Sequence, residues 1–149
     1  FERFRYAFET PEGSSYPPIL DMNLIDGDVT VTGAGGEITF TPFLVRHGGM
    51  DALGFRIAGL AYLPDVASIP DDAWTHLDNL DVWVLDALRR DPHPTHSHLA
   101  QSLEWIEKVA AKRAVLTNMH IDLDYETVLA ETPDHISPAY DGMVITLPL

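Results

Sequence analysis

One stretch of the sequence, residues 43–66, constrains the fold more than any other. Its apolar residues are nearly continuous on both sides of a Gly48-Gly49 pair. Glycine readily adopts the positive φ of tight turns, so this pattern predicts two paired strands joined by a short turn. The continuous apolar runs indicate that the strands are buried. His47 then lies near the end of the first strand, and Asp65 ends the second, at rigid positions next to loops.

The rest of the chain alternates between strand-like and helix-like patterns. Short apolar runs predict strands, whereas the period of residues 99–111 is that of an amphipathic helix. A second, shorter helix is expected over residues 125–131. We also expect a hairpin turn at residues 33–36 and strands over residues 4–8, 53–63, 81–88, 114–119 and 142–147. This alternation predicts a single domain, residues 1–149, with a mixed α/β layered fold.

Composition excludes several classes of function. The chain has 149 residues and no cysteine, which excludes disulfides and zinc sites built from thiolates. Its net charge of −14 argues against a broad nucleic-acid interface. No apolar run approaches the roughly 20 residues that cross a bilayer. We therefore expect a cytoplasmic protein that contacts neither membrane nor nucleic acid.

Histidines and aspartates recur where predicted strands end. They are His47, Asp65, Asp86 and His120, and a loop after a strand adds His93, His96 and His98. Without cysteine, imidazole and carboxylate are the protein ligands for Zn or Mn. Asp122, two residues after His120, is placed to orient an imidazole.

Each of these residues also has a purely structural interpretation. His47 could close the hairpin, Asp65 could cap a loop, and His120 could simply end a strand. His98 could occupy the start of the following helix. His93, between two prolines, is interpreted as a loop residue, and Asp86 as a partner of ligands or of the loop backbone.

Six short motifs occur in a fixed order along the chain. They are Arg46-His47-Gly48, Tyr62-Leu63-Pro64-Asp65-Val66, Leu85-Asp86-Ala87-Leu88, His93-Pro94-Thr95-His96, Thr117-Asn118-Met119-His120-Ile121-Asp122 and Ala139-Tyr140-Asp141-Gly142-Met143. Together they resemble the C-terminal half of a metallo-β-lactamase-fold hydrolase, and the branch they resemble most is the phosphoribosyl 1,2-cyclic phosphate phosphodiesterases and their relatives.

The resemblance implies half of an αββα sandwich, a mixed sheet with flanking helices, and two divalent metal ions, Zn or Mn. It implies that His47 binds one ion, Asp65 bridges both, and His120 binds the other. His96 matches the histidine near the scissile phosphate, so His96 and Asp65 are the expected catalytic residues. We expect Asp86, Asp122, His98 and Tyr140 to contact these residues or to line the pocket.

The sequence departs from that family at one point. The motif His-x-His-x-Asp-His, which supplies ligands in the N-terminal half of the family, is absent. The abrupt start at Phe1, without methionine, leads us to expect that an N-terminal half is missing. That half, or a second copy of the chain, is the expected partner, and this stretch alone is expected to be inactive.

Three functions are compatible with this sequence. The first is a metal-dependent phosphodiesterase that cleaves a small cyclic or nucleotide-like phosphate with a metal-activated water. The second is a tRNA-processing ribonuclease of the same fold, which the acidic charge disfavours. The third is a metal-free, non-catalytic relative, which would not need to keep His47, Asp65 and His120 together.

Overall fold

The computed structural model describes residues 2–147 and shows a seven-stranded sheet with helices packed on it. The strands are β1 (Val29–Gly33), β2 (Gly36–His47), β3 (Met50–Ile57), β4 (Leu60–Leu63), β5 (Val82–Asp86), β6 (Arg113–Thr117) and β7 (Ile136–Pro138). Helices α1 (Leu99–Val109) and α2 (Tyr125–Glu131) precede β6 and β7, and 3-10 helices cover Glu2–Ala7 and Ala73–Leu77. None of the helices described is long and apolar enough to cross a membrane.

The strands lie in the sheet in the order of the sequence. The neighbours from β1 to β4 are antiparallel, and those from β4 to β7 are parallel. Parallel neighbours need a crossover, which α1 and α2 supply for the last two pairs. The predicted mixed α/β fold with flanking helices is therefore confirmed.

The prediction of one strand over residues 53–63 is wrong, because the chain reverses at Ala58 and Gly59. Ala58 has a φ of 48° and separates β3 from β4. A Cβ at Gly59 would collide with the carboxylate of Asp81. The Arg56 guanidinium donates to the carbonyls of Ala58, His76 (2.9 Å) and Asp78 (2.8 Å), which holds the turn against the 3-10 helix.

Two further strand predictions, at the ends of the chain, are also wrong. Residues 4–8 lie largely in the first 3-10 helix, where Phe8 and Glu9 donate to the carbonyl of Arg5. Residues 142–147 form no strand; instead Ile136–Pro138 pairs with β6. Gly142, with a φ of 86°, lies in a turn in which Met143 donates to Tyr140. Leu149 and its neighbour at position 148 lie outside the described residues.

One face of the sheet carries the hydrophobic core. Val45, Leu63, Trp83 and Leu85 are fully buried there and pack with Ile106 of α1. The opposite face is apolar but partly open, since Leu44 is 57% and Tyr62 43% exposed. The registers place Tyr62 between Phe55 and Val84, both half-buried, so this open face is continuous across β3, β4 and β5.

Candidate metal centre

Four strands end at the same edge of the sheet. Since β2 and β4 are both antiparallel to β3, they run in one direction, and β5 and β6 are parallel to β4. His47 ends β2, Asp65 follows β4 by two residues, and Asp86 ends β5. His120 follows β6. The turn at Ala58 and Gly59 is what returns Asp65 to this edge; one long strand would have carried it to the opposite edge.

Three side chains meet at this edge: His47, Asp65 and His96. Each offers a ligand atom, and these atoms all lie within 4.8 Å of one another. The rings of His47 and His96 meet edge to face, with centroids 4.6 Å apart. Asp65 Oδ1 lies 3.8 Å from His96 Nδ1, and the Asp65 side chain is about half exposed (51%). The group is therefore reachable from solvent and is not part of the core.

His47 is fixed by the loop that carries His96. His47 Nδ1 lies 2.6 Å from the carbonyl oxygen of Thr95, which can only accept, so Nδ1 must donate. In a neutral imidazole this leaves the lone pair on Nε2. The same loop packs on Gly48, where a Cβ would lie 2.5 Å from Thr95 Cγ2. Backbone hydrogen bonds between Arg46 and Ser68, which form an isolated β-bridge, hold the chain after Asp65 beside the end of β2.

Asp86 is a fully buried carboxylate that orients His96. Its Oδ2 accepts from the Val66 backbone (3.1 Å) and from His96 Nδ1 (2.8 Å), and its Oδ1 accepts from Asn118 Nδ2 (3.3 Å). Burial raises the pKa of Asp86, and the hydrogen bonds from Val66, His96 and Asn118 oppose that rise. With Asp86 ionised, His96 donates through Nδ1 and keeps the lone pair on Nε2.

Three residues that support Asp86 were not anticipated from the sequence. Ser97 and Ser102, both buried, donate to the Asp86 carbonyl oxygen at 2.7 and 2.6 Å and so attach α1 to the end of β5. Asn118 adopts a φ of 61° and also donates to the carbonyl of Pro64 (3.3 Å). An asparagine directly after a strand is a recognisable candidate for this left-handed position, whereas the two serines give no comparable pattern.

His120 lies at the rim of the site and outside the three-residue group. Its side chain is 61% exposed, and its Nδ1 lies 2.9 Å from Asp122 Oδ1. This hydrogen bond, together with one from the Arg90 backbone, lowers the pKa of Asp122 below its ordinary value. With Asp122 ionised, the imidazole of His120 donates through Nδ1 and keeps its lone pair on Nε2.

The other residues expected near the site occupy its surroundings. His98 is the N-cap residue of α1, but its side chain makes no capping hydrogen bond. Tyr140 is exposed, and its ring meets Tyr125 edge to face at 6.1 Å. Tyr140 also lines a cavity of about 480 Å³ that extends along the end of β6 to Asn118. The ring of His93 lies 5.3 Å from that of His96, and burial and the nearby Arg89 lower its pKa.

The donor set fits a divalent metal ion. His47 and His96 each keep an unprotonated Nε2. A ring nitrogen of each lies within 4.8 Å of the other and of a carboxylate oxygen of Asp65. Imidazole and carboxylate together suit Zn and Mn alike. The bonds to Thr95 and Asp86 hold the imidazoles in the tautomers that such an ion requires. His120, with Asp122 behind it, is a further imidazole of the same kind.

A layered α/β sheet with imidazoles and carboxylates gathered at its strand ends has the donor groups of a metal-binding protein. The family model described as the beta-lactamase superfamily domain matches residues 2–121. The chain belongs to this family, and its sheet with one helical layer is half of a metallo-β-lactamase fold.

The chain is also similar to three individual proteins. A new diphosphatase from the PhnP family is 32% identical, with a TM-score of 0.83 over 99% of this chain and 54% of its own. The short form of human tRNase Z is 20% identical, with a TM-score of 0.59 over 75% of this chain and 44% of its own. An octanoyltransferase of Porphyromonas gingivalis is 28% identical over 95% of this chain but only 29% of its own length.

The chain thus spans about half of the length of the diphosphatase and under a third of the octanoyltransferase. The matched part is a minor fraction of the octanoyltransferase, so the name of that protein does not describe the matched part in particular. The likeness to tRNase Z shows the fold alone. The likeness to the PhnP-family diphosphatase agrees with the branch that the sequence motifs indicate.

Proposed function

We propose that this chain is part of a metal-dependent phosphodiesterase that cleaves a small cyclic or nucleotide-like phosphate. The observation that carries the proposal is the group formed by His47, Asp65 and His96, whose ligand atoms lie within 4.8 Å of one another. The 32% identity to a PhnP-family diphosphatase over nearly the whole chain supports a phosphate ester as the substrate.

His47 and Asp65 would hold the metal, and Asp65 has a second oxygen with which to bridge to a second ion. His120, oriented by Asp122, would bind that second ion. Divalent ions, Zn or Mn, would supply Lewis-acid stabilisation of the phosphate charge and activate a water for attack. Thr95 and Gly48 contribute by fixing the position and tautomer of His47.

Of the three residues in this group, His47 and Asp65 would hold the metal, whereas His96 is the proposed general acid and keeps its Nε2 free to carry a proton. Asp86 accepts its Nδ1 proton, which orients the ring and stabilises the imidazolium that forms when Nε2 takes up a proton. The protonated Nε2 can then stabilise charge on the phosphate or protonate the leaving oxygen. Imidazole is the side chain most often used for general acid catalysis near neutral pH.

The activity belongs to the whole protein, of which this chain spans about half if the diphosphatase is a guide. A preceding N-terminal half, or a second copy of the chain, would cover the open sheet face around Leu44 and Tyr62 and complete the ligand set. We place the complete protein in the cytoplasm, acting on a small phosphate ester, with no membrane or nucleic-acid partner.

A tRNA-processing ribonuclease is the second candidate, because the short form of human tRNase Z has the same fold. The net charge of −14 disfavours this candidate, since tRNA binding needs an extended basic surface. A metal-free relative is the third candidate, and the hydrogen bonds that fix the tautomers of His47 and His96 weigh against it.

Replacement of Asp65 tests the proposal. In the full-length protein, Asp65→Ala removes the proposed bridging carboxylate and should abolish both turnover of a chromogenic phosphodiester and retention of the metal. Elemental analysis and steady-state kinetics on the same sample give the two readouts. Asp71→Ala, at an exposed loop aspartate, is the matched control and should behave like the wild type. Full activity of Asp65→Ala would refute the site.

A further inference from the structure

The histidines around the site differ in the nitrogen that carries the proton. His47, His96 and His120 each direct Nδ1 at an oxygen that accepts: the Thr95 carbonyl, Asp86 and Asp122. All three therefore leave Nε2 as a lone pair, as metal ligands and bases require.

His93 has the opposite arrangement. Its Nδ1 accepts from the backbone N–H of Thr95 at 3.3 Å, and the Thr95 hydroxyl lies at the same distance. A nitrogen that accepts from an N–H carries no proton, so a neutral His93 is protonated at Nε2. Across residues 2–147 this Nε2–H has no protein acceptor. His93 thus presents an unpaired donor from a half-buried ring, 5.3 Å from the ring of His96.

We propose that His93 binds the substrate, donating its Nε2–H to a non-bridging phosphate oxygen of the ester beside His96. This inference rests on the proposed function and adds a substrate-binding residue to it. In this role His93 is neither a metal ligand nor a proton-transfer group.

The surroundings of His93 favour an anion as the acceptor. A chain with a net charge of −14 needs specific local donors to hold a phosphate. Arg89, on the same loop, donates to the carbonyls of Asp91 (3.1 Å) and Pro92 (2.6 Å), which shapes the loop and brings a cation close to His93.

Thr95 sets the position of this donor. Thr95 donates its N–H to His93 and accepts from His47 through its carbonyl, while its methyl group packs over Gly48. One residue therefore sets the opposite tautomers of the two histidines, and the His93 donor is fixed relative to the proposed metal ligand. Such preorganisation is what a site for a charged oxygen needs.

Two variants of the full-length, metal-loaded protein test the proposal. His93→Phe removes the donor but keeps an aromatic ring, whereas His93→Gln keeps an N–H near the position of Nε2. Because a hydrogen bond to a charged group is lost, His93→Phe should weaken competitive inhibition by inorganic phosphate by about tenfold to a hundredfold. The KM for a chromogenic phosphodiester should rise more than kcat falls, and His93→Gln should recover most of the loss.

Controls separate binding from folding. Metal content should stay at the wild-type value in both variants, and their melting temperatures should fall by the same small amount, because both lose the Nδ1 that accepts from the Thr95 N–H. His135→Phe should change none of these quantities, because His135 precedes β7 at the opposite edge of the sheet from the site. Nitrogen-15 NMR of the histidine side chains should show His93 protonated at Nε2 and His47 at Nδ1.

Each outcome decides one question. If the wild type is active and His93→Phe binds phosphate as tightly, or if His93→Gln loses as much as His93→Phe, the role of His93 is refuted and the proposed function stands. If the wild type neither binds phosphate nor cleaves the diester, the proposed function fails. An Nδ1–H signal for His93 would overturn the inference independently of any activity.

Discussion

At the scale of single residues, Gly48 determines how closely the loop carrying His96 can approach His47. Its φ of 69° is a conformation that costs an L-residue energy, and the space where a Cβ would be is filled by Thr95. The backbone of the adjacent Gly49 is not in this positive-φ conformation, and a Cβ added there would have no heavy atom within 4 Å. The two glycines look equivalent in sequence, yet only Gly48 is required by the site.

Substitution of these two glycines should have different effects. Gly48→Ala should destabilise the protein by about 1–2 kcal/mol from backbone strain alone, with more from the contact with Thr95. Gly49→Ala should change stability by no more than about 0.5 kcal/mol. Urea denaturation of both variants measures the difference. Equal stability of the two would show that the loop does not pack on Gly48 as described.

At the scale of elements, the types of most strands and helices could be predicted from the sequence. Helix α2 and strand β5 lie where apolar runs and helical periods place them. The turn at Ala58 could not be predicted, because its alanine with positive φ depends on contacts with a later part of the chain. Arg56 donates to the carbonyls of His76 and Asp78, and the Asp81 N–H donates to the Gly59 carbonyl.

Helix α1 shows a second limit of predicting burial from the periodicity of the sequence. The period predicts a buried stripe through Leu99, Leu103, Ile106 and Ala110. Leu99 and Ile106 are buried as predicted, but Ser102 and Trp105 are also buried and Ala110 is exposed. Ser102 tolerates burial because its hydroxyl bonds to the Asp86 carbonyl, an acceptor that only the tertiary structure supplies.

Helix α2 permits a test of its N-terminal cap. The Asp124 carboxylate accepts from the backbone N–H (3.0 Å) and the hydroxyl (2.9 Å) of Thr127, and these bonds lower the pKa of Asp124. A lowered folded-state pKa means that the stabilisation is complete above the unfolded pKa, about 3.9, and is lost as pH falls through the folded value.

Asp124→Ala should therefore be less stable than the wild type at neutral pH, and the difference should shrink as the solution is acidified below pH of about 4. Urea denaturation at several pH values gives this difference directly. Asp134→Ala, at an exposed aspartate outside the helix, should show no comparable loss. A deficit of Asp124→Ala that is the same at every pH would rule out the charged cap.

At the scale of the whole molecule, the fold gathers residues that are far apart in sequence onto one edge. His47, Asp65 and His96 are brought together by the ends of β2 and β4 and by the loop that follows β5. Local sequence patterns locate the strand ends, so the spacing of these residues predicts that they lie at one edge of the sheet. The spacing does not predict that His96 rather than His120 joins His47 and Asp65, because the hydrogen bond that His96 donates to Asp86 decides where the His96 ring lies.

Diffraction at the metal absorption edge shows most directly whether this edge of the sheet binds divalent metal ions. Crystals of the full-length protein loaded with Zn or Mn should show an ion at about 2.0–2.2 Å from His47 Nε2 and from an Asp65 carboxylate oxygen. A fully loaded protein whose ions all lie elsewhere, with His47 and Asp65 uncoordinated, would contradict the account.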